Sequence, residues 1–126
     1  MEHQQHRAQQ HLGHHYLIDY YGCSADILND LSTIQSILED AVVESGTHKL
    51  NASFHEFVPQ GVTGVILLEE SHLSIHTWPE NEFAAVDFFT CGDISKMNTV
   101  FETLGRALKA KDIKSQEIKR GFIKRI

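Results

Sequence analysis

The stretch Val62-Thr63-Gly64-Val65-Ile66-Leu67-Leu68-Glu69-Glu70-Ser71-His72-Leu73-Ser74-Ile75-His76-Thr77-Trp78-Pro79 decides the fold. Val62–Leu68 is almost wholly apolar and rich in β-branched residues, as a buried strand requires. Two acids follow. From Ser71 to Thr77 the pattern switches to alternation, with Leu73 and Ile75 on one face and Ser74 and His76 on the other. That is the period of a strand with one side in a core. Pro79 has no N–H for a sheet ladder and breaks it.

Further strands lie on either side. Residues 48–57 precede the stretch across the turn Pro59-Gln60-Gly61, and Phe83–Phe89 follows it. A helix is predicted over 30–45, where Leu31, Ile34, Leu38, Ala41 and Val42 recur at helical spacing. Asn29 or Asp30 can cap its start, and Gly46 stands just past its end. A second helix is predicted over 94–109, with Ile94, Met97, Val100, Phe101, Leu104 and Leu108 as its buried stripe. Residues 14–21, ended by Gly22, and 113–123 complete the strands. Residues 1–11, polar and carrying His3, His6 and His11, are expected to form a flexible arm. The order β-α-β-β-β-β-α-β predicts an α+β fold, with helices on one face of a mainly antiparallel sheet.

A chain of 126 residues, 41% hydrophobic, suits a single domain spanning 1–126 with one core. No apolar run approaches the ~20 residues of a membrane helix, and the polar N-terminus does not resemble a signal peptide. Net charge is −6, from 11 basic and 17 acidic residues, which argues against a nucleic-acid partner. The basic residues Lys119, Arg120, Lys124 and Arg125 read as a solvated strand face and tail. Two cysteines, Cys23 and Cys91, build no disulfide framework and suit a cytoplasmic protein. The histidines at 3, 6, 11, 14 and 15 lack the fixed spacing of a metal site, so no metal is expected.

The chemical signal is Glu70-Ser71-His72-Leu73-Ser74-Ile75-His76-Thr77-Trp78-Pro79-Glu80, followed by Phe88-Phe89-Thr90-Cys91-Gly92-Asp93. Singly these residues say little. His76 alone is a structural histidine, Cys91 and Cys23 alone are small buried hydrophobes, and Phe57 and Trp78 alone are core aromatics. Together they resemble, over roughly residues 12–109, the short prokaryotic class of S-adenosylmethionine decarboxylase proenzyme, a pyruvoyl-dependent family.

The resemblance implies a two-layer α/β sandwich and self-cleavage between Glu70 and Ser71, giving a β chain of 1–70 and an α chain of 71–126. The Ser71 hydroxyl attacks the carbonyl of Glu70, and elimination and loss of ammonia turn residue 71 into a pyruvoyl group. That covalent cofactor forms a Schiff base with the substrate amine and acts as an electron sink. The resemblance makes His76 the processing base, five residues along, where a hairpin-like fold of the site would bring it close to Ser71. Thr63 stands where the family has serine in Gly-Val-Ser-Gly, and keeps the hydroxyl that assists processing. Cys91, in Thr-Cys-Gly, is implied to be the proton donor of decarboxylation. Phe57 is implied to pack on the adenine, with Trp78 in the same pocket and Glu80 on the ribose hydroxyls, a diol that a carboxylate accepts well. A homodimer of processed αβ pairs, with sites near the subunit interface, and a product used in spermidine synthesis follow from the same resemblance.

Two further stretches depart from the family. Asn81-Glu82-Phe83-Ala84-Ala85 replaces Tyr-Gly-Tyr-Ala-Ala, and Glu56 replaces a residue that is usually basic. The added carboxylates would also suit a guanidinium or ammonium group. Some members act on arginine or ornithine, so L-arginine and L-ornithine stay open beside S-adenosylmethionine. An unprocessed regulatory paralogue is the reading from another class, and intact Ser71, His76 and Cys91 argue against it.

Overall fold

The structure, a computed structural model, describes residues 11–123. Along the chain run β1 (His11–Tyr21), α1 (Ala25–Leu28), α2 (Leu31–Ser45), β2 (Lys49–Glu56), β3 (Val62–Leu68), β4 (Ser71–Trp78), a 3-10 turn (Pro79–Asn81), β5 (Phe83–Thr90), α3 (Met97–Ala107) and β6 (Asp112–Phe122). The strands form one sheet in the order β2-β3-β4-β5-β1-β6, and every neighbouring pair is antiparallel.

Alternation decides which face is covered. Tyr16, Ile18 and Tyr20 of β1, Ile66 and Leu68 of β3, Leu73 and Ile75 of β4, and Val86 and Phe88 of β5 are all buried. They share one core with Ile34, Leu38 and Val42 of α2 and Met97, Val100 and Leu104 of α3. Each such side chain contributes roughly 1.5–3 kcal/mol by leaving water. Tyr20 spans the two layers: its buried hydroxyl donates to the Phe101 carbonyl at 2.8 Å, and burial pushes its pKa up. The opposite face, which carries Val65, Leu67, Ser74, His76 and Asp87, has no helix over it among the described residues, and Val65 and Leu67 are exposed. This is the predicted two-layer α+β arrangement.

Local chemistry explains the boundaries. Asp30 caps α2, its carboxylate accepting from the Thr33 N–H at 3.1 Å, and Gly46 closes the helix at φ 79°. Asn29 instead accepts from the Gly61 N–H at 2.9 Å, tying the loop before β3 to the helical layer. Gly64 is required by its neighbour, since a Cβ there would lie 2.1 Å from the Phe54 ring.

Three expectations shift. The first strand starts at His11, which pairs with Phe122, so His11 is not part of the expected arm; residues 1–10 lie outside the described residues. α1 was not anticipated; Ser24 caps it by accepting from the Ile27 N–H at 3.3 Å. α3 is shorter than 94–109 because the Ser95 N–H turns to Asp93 Oδ1 at 2.9 Å and Lys96 supplies no capping side chain.

Candidate active site

Leu68 pairs with Ser71, so only Glu69 and Glu70 join β3 to β4. Two-residue hairpins favour turns with positive φ at one or both central residues. Neither glutamate has one; Ser71 does, at φ 155°. A conformation that L-residues rarely adopt, costing ~1–3 kcal/mol, therefore falls on the residue after the Glu70–Ser71 bond.

The carbonyl of Glu70 accepts from the Cys91 N–H at 3.1 Å and from Cys91 Sγ at 3.3 Å. Both donors face the oxygen on which charge collects if a hydroxyl attacks that carbon, the arrangement of an oxyanion hole. The carboxylate of Glu70 accepts from the His48 N–H at 3.1 Å and meets His48 Nδ1 at 2.7 Å. Hydrogen bonding to Glu70 raises the His48 pKa above its ordinary value, and the same bond lowers that of Glu70.

The other end of β4 carries a different set. Thr63 and His76 are cross-strand partners, with Thr63 Oγ1 3.0 Å from His76 Nδ1. They line a cleft of about 290 Å³ with Phe57, Trp78 and Glu80, closed by Gln60, Gly61 and Thr77. Phe57 and Trp78 are 47% and 41% exposed, so they are not core aromatics. Phe57 is placed by its turn, its N–H donating to the Gly61 carbonyl at 2.8 Å. Gly61 holds φ 106°, which suits glycine. Trp78 packs at 5.5 Å from Phe83 and 6.3 Å from His76. Glu80 follows Pro79 in the 3-10 turn and is exposed.

The structure thus sorts the predicted residues into two groups. Glu70, Ser71 and Cys91 stand together, as do Thr63, His76, Phe57, Trp78 and Glu80. The expected hairpin-like approach of His76 to Ser71 within one chain does not occur. Both lie on one continuous strand, and five steps at ~3.3 Å per residue separate them by about 16 Å. Glu56 and Glu82 line no part of the cleft. Glu56 ends β2 in an exposed position, and Glu82 turns at φ 52° beside Cys23, where its carbonyl accepts the Cys23 N–H at 2.9 Å. Cys23 is buried, and burial first, then Glu82, pushes its thiol to about 11. A larger depression of about 370 Å³ between β1, β5 and β6 contains Asp19, Asp87 and Lys114 but none of these predicted residues.

Of the N-terminal histidines, His3 and His6 lie outside the described residues. His14 pairs with Glu117 and His15 with Asp87. Among the described residues, His48, Glu69 and Glu70 are the one group whose ligand-type atoms converge within 4.8 Å. Sequence reasoning missed His48 because it lies 22 residues from Glu70.

The S-adenosylmethionine decarboxylase family model matches residues 14–121. The chain is 48% identical over 111 residues to the S-adenosylmethionine decarboxylase proenzyme of Clostridium tetani, covering 88% of each chain. It is 46% identical to that of Pelotomaculum thermopropionicum, covering 90% of each. Its fold is similar to the crystal structure of the adenosylmethionine decarboxylase from Aquifex aeolicus, with a TM-score of 0.85 and 41% identity over 91% of this chain and 95% of that one.

Proposed function

The chain belongs to the S-adenosylmethionine decarboxylase family, and from that premise we propose that it cuts its own Glu70–Ser71 bond and then decarboxylates S-adenosylmethionine. The observation that carries this reading is the paired donation of Cys91 to the Glu70 carbonyl beside a strained Ser71. Ser71 Oγ attacks the Glu70 carbonyl carbon while the Cys91 N–H and Sγ stabilise the charge on oxygen. An ester replaces the peptide. A neutral imidazole removes the Cα proton of residue 71, and elimination expels the Glu70 carboxylate. The dehydroalanine left behind tautomerises to an imine, and water converts it to a ketone with release of ammonia. The products are a β chain of 1–70 and an α chain of 71–126 that begins with pyruvoyl.

That group supplies an electron sink for loss of carbon dioxide. The protein's own residues bind and donate. The Cys91 thiol, beside residue 71, protonates the α carbon. Phe57 offers a face to the adenine, Trp78 walls the cleft, and Glu80 accepts the ribose diol. Glu56 and Glu82 lie outside the cleft, which removes the reason to favour arginine or ornithine.

The imidazole comes from His76 of a second copy, assisted by Thr63 of that copy. Support comes from the distance along β4, which one chain cannot close, and from the sheet face left bare of helices among the described residues. A two-fold homodimer joins the Ser71 end of each copy to the His76 end of the other. An exposed thiol that must stay reduced suits the cytosol. The product is an aminopropyl donor for spermidine synthesis.

The test offers the purified protein S-adenosylmethionine, L-arginine and L-ornithine together, with products read by mass spectrometry. Loss of carbon dioxide from S-adenosylmethionine alone is expected. Loss from arginine or ornithine alone would contradict the substrate assignment. A single uncut band with no product would favour the regulatory paralogue.

A further inference from the structure

We propose that His48 is a positioning residue for self-cleavage, holding the Glu70 side chain so that the Glu70 carbonyl stays on its Cys91 donors. This rests on the reading that Glu70–Ser71 is the bond that breaks. Glu70 is gripped at both ends: its carbonyl by the Cys91 N–H and Sγ, its carboxylate by the His48 N–H and Nδ1. The turn is gripped again through Glu69, whose N–H donates to the His48 carbonyl at 2.9 Å. His48 therefore brackets both residues of the turn with its main chain and adds its ring to one of them.

This bracket bears on rate. Attack by Ser71 Oγ needs the carbonyl held in one orientation, and displacements of about 1 Å cost on the order of 10²-fold in such reactions. Ser71 also sits at φ 155°, a conformation that persists only where its surroundings impose it. The His48 side chain is 66% exposed, so replacing it opens no cavity in the core.

The titratable groups facing the ring are Glu70 and, at 3.9 Å, Glu69. The adjacent Lys49 is held by Glu39 at 3.0 Å. His48, with its pKa raised by Glu70, contributes fully below the ordinary imidazole value and loses its contribution as pH rises through the raised one. Glu70, with its pKa lowered by His48, contributes fully above the ordinary carboxylate value and loses its contribution as pH falls through the lowered one. The grip is complete between those two ordinary values and weakens on the alkaline side.

The experiment follows cleavage of freshly translated full-length chain by intact mass, from pH 5 to 9, for the unmodified protein, His48→Ala and His48→Asn. Unmodified chain should show an alkaline fall in rate. His48→Ala should cleave about tenfold more slowly near neutrality with an unchanged thermal midpoint. His48→Asn, whose amide N–H takes the place of Nδ1–H, should recover most of the rate without the alkaline fall. Equal rates and equal pH profiles for all three would overturn the proposal. Absence of cleavage in the unmodified chain would overturn the underlying reading, and this one with it.

Discussion

At its Ser71 end β4 leaves a two-residue turn with a backbone angle that L-residues rarely adopt, and His48 and Cys91 hold that turn by hydrogen bonds. At its Trp78 end the same strand passes into a proline-led turn and an open cleft with two exposed aromatics. In the proposed reading the first end supplies a strained residue, a hydroxyl and donors for the developing charge, while the nearby His48 ring is held by the Glu70 carboxylate. The second, in the same reading, supplies the His76 imidazole, the Thr63 hydroxyl 3.0 Å from it and an aromatic surface for the nucleoside. The rise of the strand keeps the ends about 16 Å apart, which is why the proposed site takes Ser71 from one chain and His76 from another.

The largest effect expected is at the first end. Ser71→Ala leaves no hydroxyl to attack Glu70, and intact mass should show only the uncut chain at any incubation time. Any 71–126 fragment from that variant would break the assignment. Cys91→Ala sharpens the contrast within this end. Its main-chain N–H still meets the Glu70 carbonyl, so cleavage should slow by about tenfold or less, whereas turnover of S-adenosylmethionine by the cut protein should fall on the order of 10²-fold or more. Full turnover would remove Cys91 from the role of acid.

The smallest effect belongs to the second end. Thr63→Val removes the hydroxyl 3.0 Å from His76 Nδ1 while keeping a β-branched strand residue. Cleavage should slow about tenfold, and Thr63→Ser should restore it. A Thr63→Val protein that matures at the normal rate would show that His76 needs no partner at that nitrogen.

Much of this was legible in the chain. The alternation of Ser71–Thr77 reports a strand with one buried face, and Leu73 and Ile75 are buried as that pattern requires. The aliphatic stripe of α2 and its Asp30 and Gly46 ends carried the same kind of signal. The four residues of α1 are too few to show a period. Ile94 looked helical because it packs on the core, although the chain there is turned by Asp93 and Ser95. Within the site, residue types were readable and distances were not. His76 is near Ser71 in number but lies far along a straight strand, whereas His48 is 22 residues from Glu70 and touches it across the β3–β4 turn.

Co-expression of Ser71→Ala and His76→Ala chains, distinguished by mass, tests the two-chain site most directly. Alone, the first should never cut and the second should cut on the order of 10²-fold slowly or worse. In mixed dimers the intact Ser71 of the His76→Ala chain meets the intact His76 of the Ser71→Ala chain. With random pairing about half of the His76→Ala chains should then appear as 1–70 and 71–126 fragments, with the Ser71→Ala chains whole. No cleavage in the mixture, under conditions where the unmodified protein matures fully, would contradict the account.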